Sequence, residues 1–208
     1  MKIIDCEQGS ESWYRARMGM PTASEFATVM RTKGKGDDGT SKERRTYLLK
    51  LAGEIITGEP MESYSNAHME RGKIMEDEAR DLYALVNNVD PQRVGFIVNG
   101  KAGCSPDSLI GNDGMLEIKT AQPHILLDKE LRGSFPPEHW AQCQGGLWVA
   151  EREWIDLEIY WPKMRPFVVR AVRDEKYIAD LARAIDQFNA HLAEAVERHR
   201  RYGQREAA

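Results

Sequence analysis

The chain has 208 residues, 41% of them hydrophobic and 30% charged, with a net charge of −4. That is enough apolar material for one domain with its own core, and no apolar run approaches the length of a membrane span. The opening MKIIDCEQGSESWY turns polar after four residues, unlike a signal peptide, so a cytoplasmic protein is expected.

Cys6, Cys104 and Cys143 are far apart and form no CxxC pair, so neither a zinc ribbon nor a four-thiolate cluster is supplied. Charge is segregated. Residues 31–50 hold seven Lys/Arg against three acids, and residues 59–90 hold eight acids against three bases. An acidic protein handles nucleic acid if its bases line one groove and its carboxylates hold metal. Equally, such runs are ordinary solvated faces.

In chain order, Thr22-Ala23-Ser24-Glu25 has the form of a capping box and predicts a short helix carrying Phe26, Val29 and Met30. Residues 32–41, TKGKGDDGTS, read as a loop; their Gly34-x-Gly36-x-x-Gly39 lacks the preceding strand that a dinucleotide site needs. Helices are predicted over 41–56, with Tyr47, Leu48, Leu51 and Ile55 on one side, and over 66–86, with Met69, Lys73, Glu76 and Arg80 at helical spacing. Short strands follow at 94–98, 103–109 and 115–120, the last two joined by the turn Gly111-Asn112-Asp113-Gly114. Helices at 125–131 and 138–149 precede strands at 155–161 and 166–172. A long helix over 174–200 closes the chain, striped by Ile178, Leu181, Ile185, Phe188, Leu192 and Val196. This order predicts a single α/β domain over 1–208, a central mixed sheet of about five strands flanked by helices.

Chemistry concentrates at Ser105-Pro106-Asp107 and, nine residues on, Glu117-Ile118-Lys119. Glu117 and Lys119 share one face of a strand, and a tight turn brings Asp107 beside them. Two carboxylates and a lysine suit a hard divalent cation with oxygen ligands, the Ile118 carbonyl serving as a third. By itself this short pattern also fits a surface strand pair next to a turn-capping aspartate.

Together with its flanks, the sequence resembles the λ exonuclease family, the YqaJ-type viral recombinases of the PD-(D/E)xK nuclease superfamily. The motifs that carry the resemblance are Trp13-Tyr14-Arg15-Ala16-Arg17-Met18-Gly19, Thr22-Ala23-Ser24, Arg71-Gly72-Lys73 with Glu76 and Ala79-Arg80, Cys104-Ser105-Pro106-Asp107, Leu116-Glu117-Ile118-Lys119, Ala141-Gln142-Cys143-Gln144 with Leu147-Trp148, and Arg173-Asp174-Glu175-Lys176-Tyr177.

The resemblance implies a restriction-endonuclease-like core. It implies Asp107 and Glu117 as metal ligands, Lys119 as the catalytic lysine, Glu76 near a second metal and Gln142 close to the reaction centre. Arg17, Ser24 and Ser105 match a pocket for a 5′-terminal phosphate, and Met69 an apolar wedge between terminal base pairs. The implied activity is processive, Mg2+-dependent digestion of one strand of linear duplex DNA, 5′ to 3′. Mn2+ is a possible substitute, and two ions per site are expected. The implied product is a 3′ overhang, the implied partner a single-strand annealing protein, and the implied assembly a homotrimeric ring. An endonuclease of the same superfamily and a non-catalytic DNA-end-binding protein are the alternatives. Arg71 and His139 depart from the family pattern, at positions that bear on strand separation. Taken residue by residue, Arg17 also fits a surface ion pair, Ser24 a helix start, Met69 a core position, and Trp140 and Trp148 packing.

Overall fold

The computed structural model describes residues 1–34, 39–61 and 67–202, the side chains of 67–73 excepted. Its main sheet has five strands in the order β2-β5-β6-β7-β8: Pro91–Gln92, Ser108–Ile110, Gly114–Thr120, Trp154–Tyr160 and Phe167–Val172. A smaller sheet pairs β1 (Lys2–Ile4), β3 (Phe96–Asn99) and β4 (Ala102–Cys104). The helices are α1 (Glu11–Arg17), α2 (Phe26–Val29), α3 (Lys42–Thr57), α4 (Ala67–Asn87), α5 (Pro123–Arg132), α6 (Trp140–Val149) and α7 (Glu175–Arg201). The sheet is mixed as expected: β6 runs antiparallel to β5 and parallel to β7, from Gly114↔Trp154 to Thr120↔Tyr160. A parallel neighbour needs a long crossover, and α5 and α6 supply it.

Local chemistry sets the helix ends. Ser41 accepts from Arg44 N–H to start α3, and Gly58 stops it at φ 70°. Asp174 accepts from Tyr177 N–H to start α7, and the cationic last turn of α7 complements the helix dipole. All six stripe residues of α7 are buried.

The structure corrects several expectations. The strand expected over 103–109 is two strands in different sheets, with Ser105, Pro106 and Asp107 between them. Pro106 has no N–H for a ladder, and the break lets Asp107 leave one sheet and enter the other. Thr22 makes no side-chain capping bond, and residues 23–25 form a 3-10 turn ahead of α2. Its hydroxyl instead accepts from Arg17 and lies 3.3 Å from that of Ser24. Ile55 is 38% exposed, while Leu48, Leu51 and Ala52 face the core. Arg44, in the basic stretch, turns inward and donates Nε to the Val29 carbonyl. As expected, Trp140 and Trp148 pack against the core.

The two faces of the main sheet differ. Beneath α6 and α7 lies the largest core, including Phe26, Met115, Leu147, Leu181 and Phe188. Gly145 of α6 admits Phe26 here: a Cβ would stand 2.1 Å from the ring. Beneath α4 a second core joins Met75, Ala79, Tyr83, Leu116, Ile118 and Tyr160. Two acids of β7 are buried on this side. Asp156 accepts from the Tyr83 hydroxyl at 2.6 Å and from Arg170 through both oxygens, at 2.7 and 2.8 Å. Glu158 is 1% exposed, and among the described residues neither of its carboxylate oxygens has a hydrogen-bond partner. Burial drives its carboxyl up to about 7.

Candidate active site

Strand alternation divides β6. Leu116 and Ile118 enter the core under α4, while Met115, Glu117 and Lys119 face the other way. Asp107 comes in just ahead of β5, and its Oδ2 accepts from the Ile118 N–H at 2.5 Å. An extended residue presents its N–H and C=O to the same neighbour, so the Ile118 carbonyl lies on the edge of β6 that Asp107 occupies. Glu117 is 5% exposed, and its Oε1 accepts from Lys119 Nζ at 2.7 Å and from Gln142 Nε2 at 2.5 Å. Gln142 comes from α6, whose Ala141, Cys143 and Leu147 are buried in the core.

The electrostatics are those of crowded carboxylates. Burial, then the charges of Glu117 and Glu76, hold the Asp107 carboxyl well above the usual range. Burial disfavours the Lys119 ammonium, but Glu117 and Asp107 outweigh it and raise its pKa above the ordinary lysine value. His139 is pushed down to about 4 by burial and then by Lys119, so it is neutral at pH 7. Among the described residues no three His, Cys, Asp or Glu side chains gather as a complete metal cage. The donors nonetheless fit a hard divalent ion that keeps part of its water shell. Asp107, Glu117 and the Ile118 carbonyl offer oxygen only, and a cation there would offset both the burial and the neighbouring charges that raise Asp107.

One cavity of about 200 Å³ is lined both by Asp107, Glu117, Lys119 and Gln142 and by Arg17, Ser24 and Ser105. Arg17 lies over the Trp13 ring, 3.9 Å from its centroid, and donates to the Thr22 hydroxyl at 3.3 Å. Trp13 Nε1 donates to Ser105 Oγ at 2.8 Å. Glu76 contributes through its charge on Asp107, and its carboxylate is held by Arg80 at 2.6 Å. Met69 belongs to the first turn of α4, but its side chain is outside the described residues.

The sequence pattern assigned no site role to Trp13 or Arg80, and to Thr22 only a helix cap. A signal was available for the first: Trp13 and Arg17 are four apart on α1, which puts them on one helix face. Nothing local marks Arg80 as buried.

The chain is 30% identical to LHK-Exo, solved in complex with dAMP, with a TM-score of 0.82 over 92% of this chain and 97% of that one. A second structure of that protein, described as an alkaline exonuclease from Laribacter hongkongensis, gives 29% identity and a TM-score of 0.80 over the same shares. A phage related exonuclease from Haemophilus somnus 129PT shares the fold at 11% identity, with a TM-score of 0.69 over 86% of this chain and 96% of that one. No curated protein matches the sequence. The model of the YqaJ-like viral recombinase domain matches residues 12–153, and the chain belongs to that family.

Proposed function

We propose that this protein is a metal-dependent nuclease that digests one strand of linear duplex DNA from its 5′ end and leaves a 3′ overhang. The observation that carries the reading is the shared cavity. Two carboxylates and a lysine suited to phosphodiester hydrolysis open onto the same space as an arginine and two serines suited to a terminal phosphate. Kinship with the alkaline exonuclease from Laribacter hongkongensis supports it.

Asp107, Glu117 and the Ile118 carbonyl would hold the ion, Mg2+ with Mn2+ as substitute, and Glu76 would serve a second one. When bound, the ions supply Lewis acidity and charge neutralisation at the scissile phosphate. Lys119, now paired with Glu117, is placed to orient the attacking water and to offset charge that builds on the phosphate. Gln142 fixes the Glu117 carboxylate through its amide. The Arg17 guanidinium, seated over the Trp13 ring, is the charged group in this cavity suited to grip a terminal phosphate. The Ser24 and Ser105 hydroxyls complete that cradle. Met69 is assigned as the wedge at the terminal base pairs. The whole chain acts as one catalytic domain in a homotrimeric ring, in the cytoplasm, handing its overhang to a single-strand annealing protein. No described helix is long and apolar enough to cross a membrane.

The test is incubation with Mg2+ of 5′-phosphorylated linear duplex and of covalently closed circular duplex, with end-labelled products resolved by polarity. Loss of 5′ nucleotides from the linear substrate and an intact circle are expected. Cutting of the circle would make the protein an endonuclease. No metal-dependent turnover on either would leave a DNA-end-binding protein.

A further inference from the structure

We infer that Arg80 is the positioning residue that sets the geometry of the carboxylate cluster, an assignment that rests on the metal-dependent reading above. Arg80 projects from α4 with its side chain only 6% exposed. Its Nε donates to Ser108 Oγ at 3.0 Å, and its Nη1 to Asp77 Oδ1 at 2.8 Å. Its Nη2 serves two acceptors, Glu76 Oε1 at 2.6 Å and the Asp107 carbonyl at 3.4 Å. Ser108, itself fully buried, donates its hydroxyl to that same carbonyl at 2.6 Å.

One planar group thus ties the carboxylate of Glu76 on α4 to the peptide that carries Asp107. The Asp107 side chain is fixed from the far side by the Ile118 N–H. Its main chain is fixed by Arg80 and Ser108, so the residue is held at both ends. An exposed ion pair within one helix would leave the neighbouring strand indifferent. Here the arginine is buried and its remaining donors reach across to another element. Arginine alone suits the task, because its donors form a rigid fork on three nitrogens. A lysine offers a single nitrogen and cannot span Ser108, Glu76 and Asp77 together. The guanidinium also sets a buried positive charge directly against the Glu76 carboxylate.

The experiment compares wild type with Arg80→Lys and Arg80→Gln. Mn2+ binding is followed by the paramagnetic resonance signal of the free ion, and kcat and KM are measured on 5′-phosphorylated linear duplex. Weaker Mn2+ binding and a higher Mg2+ half-saturation point, each by roughly 10- to 100-fold, are expected, as for residues that orient metal ligands. In addition, kcat falls while KM for DNA ends stays unchanged, and adding Glu76→Gln to Arg80→Gln causes little further loss. Normal Mn2+ binding by a folded Arg80→Gln protein, or losses that multiply in the double variant, overturn the assignment. Should neither Arg80 variant fold, Ser108→Ala is expected to weaken Mn2+ binding in the same direction by a smaller factor, and unchanged binding there also overturns it. The nuclease reading fails separately, if wild type binds Mn2+ and digests no DNA.

Discussion

Glu158 offers a test of the folded structure that is independent of catalysis. Its carboxyl is raised to about 7 from an ordinary 4.5, chiefly by burial, with Asp156 adding to the rise and Arg80 opposing it. Between those values the native state keeps a proton that the unfolded chain has released. Stability therefore falls as pH rises from 4.5 to 7, and the whole penalty is present above 7. At 1.36 kcal/mol per pKa unit the penalty is about 3 kcal/mol, of which about 2.5 kcal/mol falls between pH 5 and pH 8. Glu158→Gln keeps the size of the side chain and cannot titrate. Urea unfolding of both proteins at pH 5 and pH 8, with EDTA present, isolates the effect, since every other group titrates in both. The variant's stability relative to wild type is expected to be about 2.5 kcal/mol greater at pH 8 than at pH 5. In thermal melts this corresponds to about 5–10 °C for a chain of this size. A relative stability that is the same at both pH values would refute the argument that burial holds this acid protonated.

Three further outcomes are expected. Lys119→Ala abolishes metal-dependent digestion in a gel assay while duplex binding by anisotropy is retained; digestion at the wild-type rate would remove the lysine from the mechanism. Arg17→Ala slows digestion of 5′-phosphorylated ends by roughly 10- to 100-fold, the loss of a charge-assisted bidentate contact of about 1.5–3 kcal/mol. Equal rates of wild type on phosphorylated and hydroxyl ends would remove the reason for that pocket. Gly145→Ala drives a methyl into the Phe26 ring and is expected to cost about 1–3 kcal/mol or more. Gly146→Ala meets only the flexible Met115 methyl at 3.1 Å and is expected to be tolerated, so equal melting temperatures for the two would contradict the packing described.

Much of the architecture was legible because it rests on periodicity. The α7 stripe appears with every residue buried, and β6 alternates as its sequence pattern demands. Glu117 and Lys119 share a face for the same reason. What was illegible depends on contacts distant in sequence. The break at Pro106 looks like one strand until the two sheets are seen. The pair Pro91–Gln92 is too short to leave a pattern. Thr22 has the residue type of a cap, yet it forms no capping bond and takes Arg17 instead. Arg80, Arg44 and Glu158 are ionisable residues that a sequence pattern sends to solvent, and only tertiary packing buries them. Within the site, the meeting of Asp107 with Glu117 was readable from the hairpin, whereas the support of Arg17 by Trp13 required the helix geometry.

The family match ends at residue 153, and β7, β8 and α7 lie beyond it. Those elements are no appendix to the recognisable part. β7 covers one whole side of β6, residue for residue from Gly114 to Thr120. A fragment trimmed to the matched boundary would leave the strand of Glu117 and Lys119 with a row of bare amides and carbonyls, and would strip the apolar shelter of α7 from α3 and α6. Such an edge recruits other chains. The expected product of that truncation is therefore insoluble aggregate rather than a minimal enzyme.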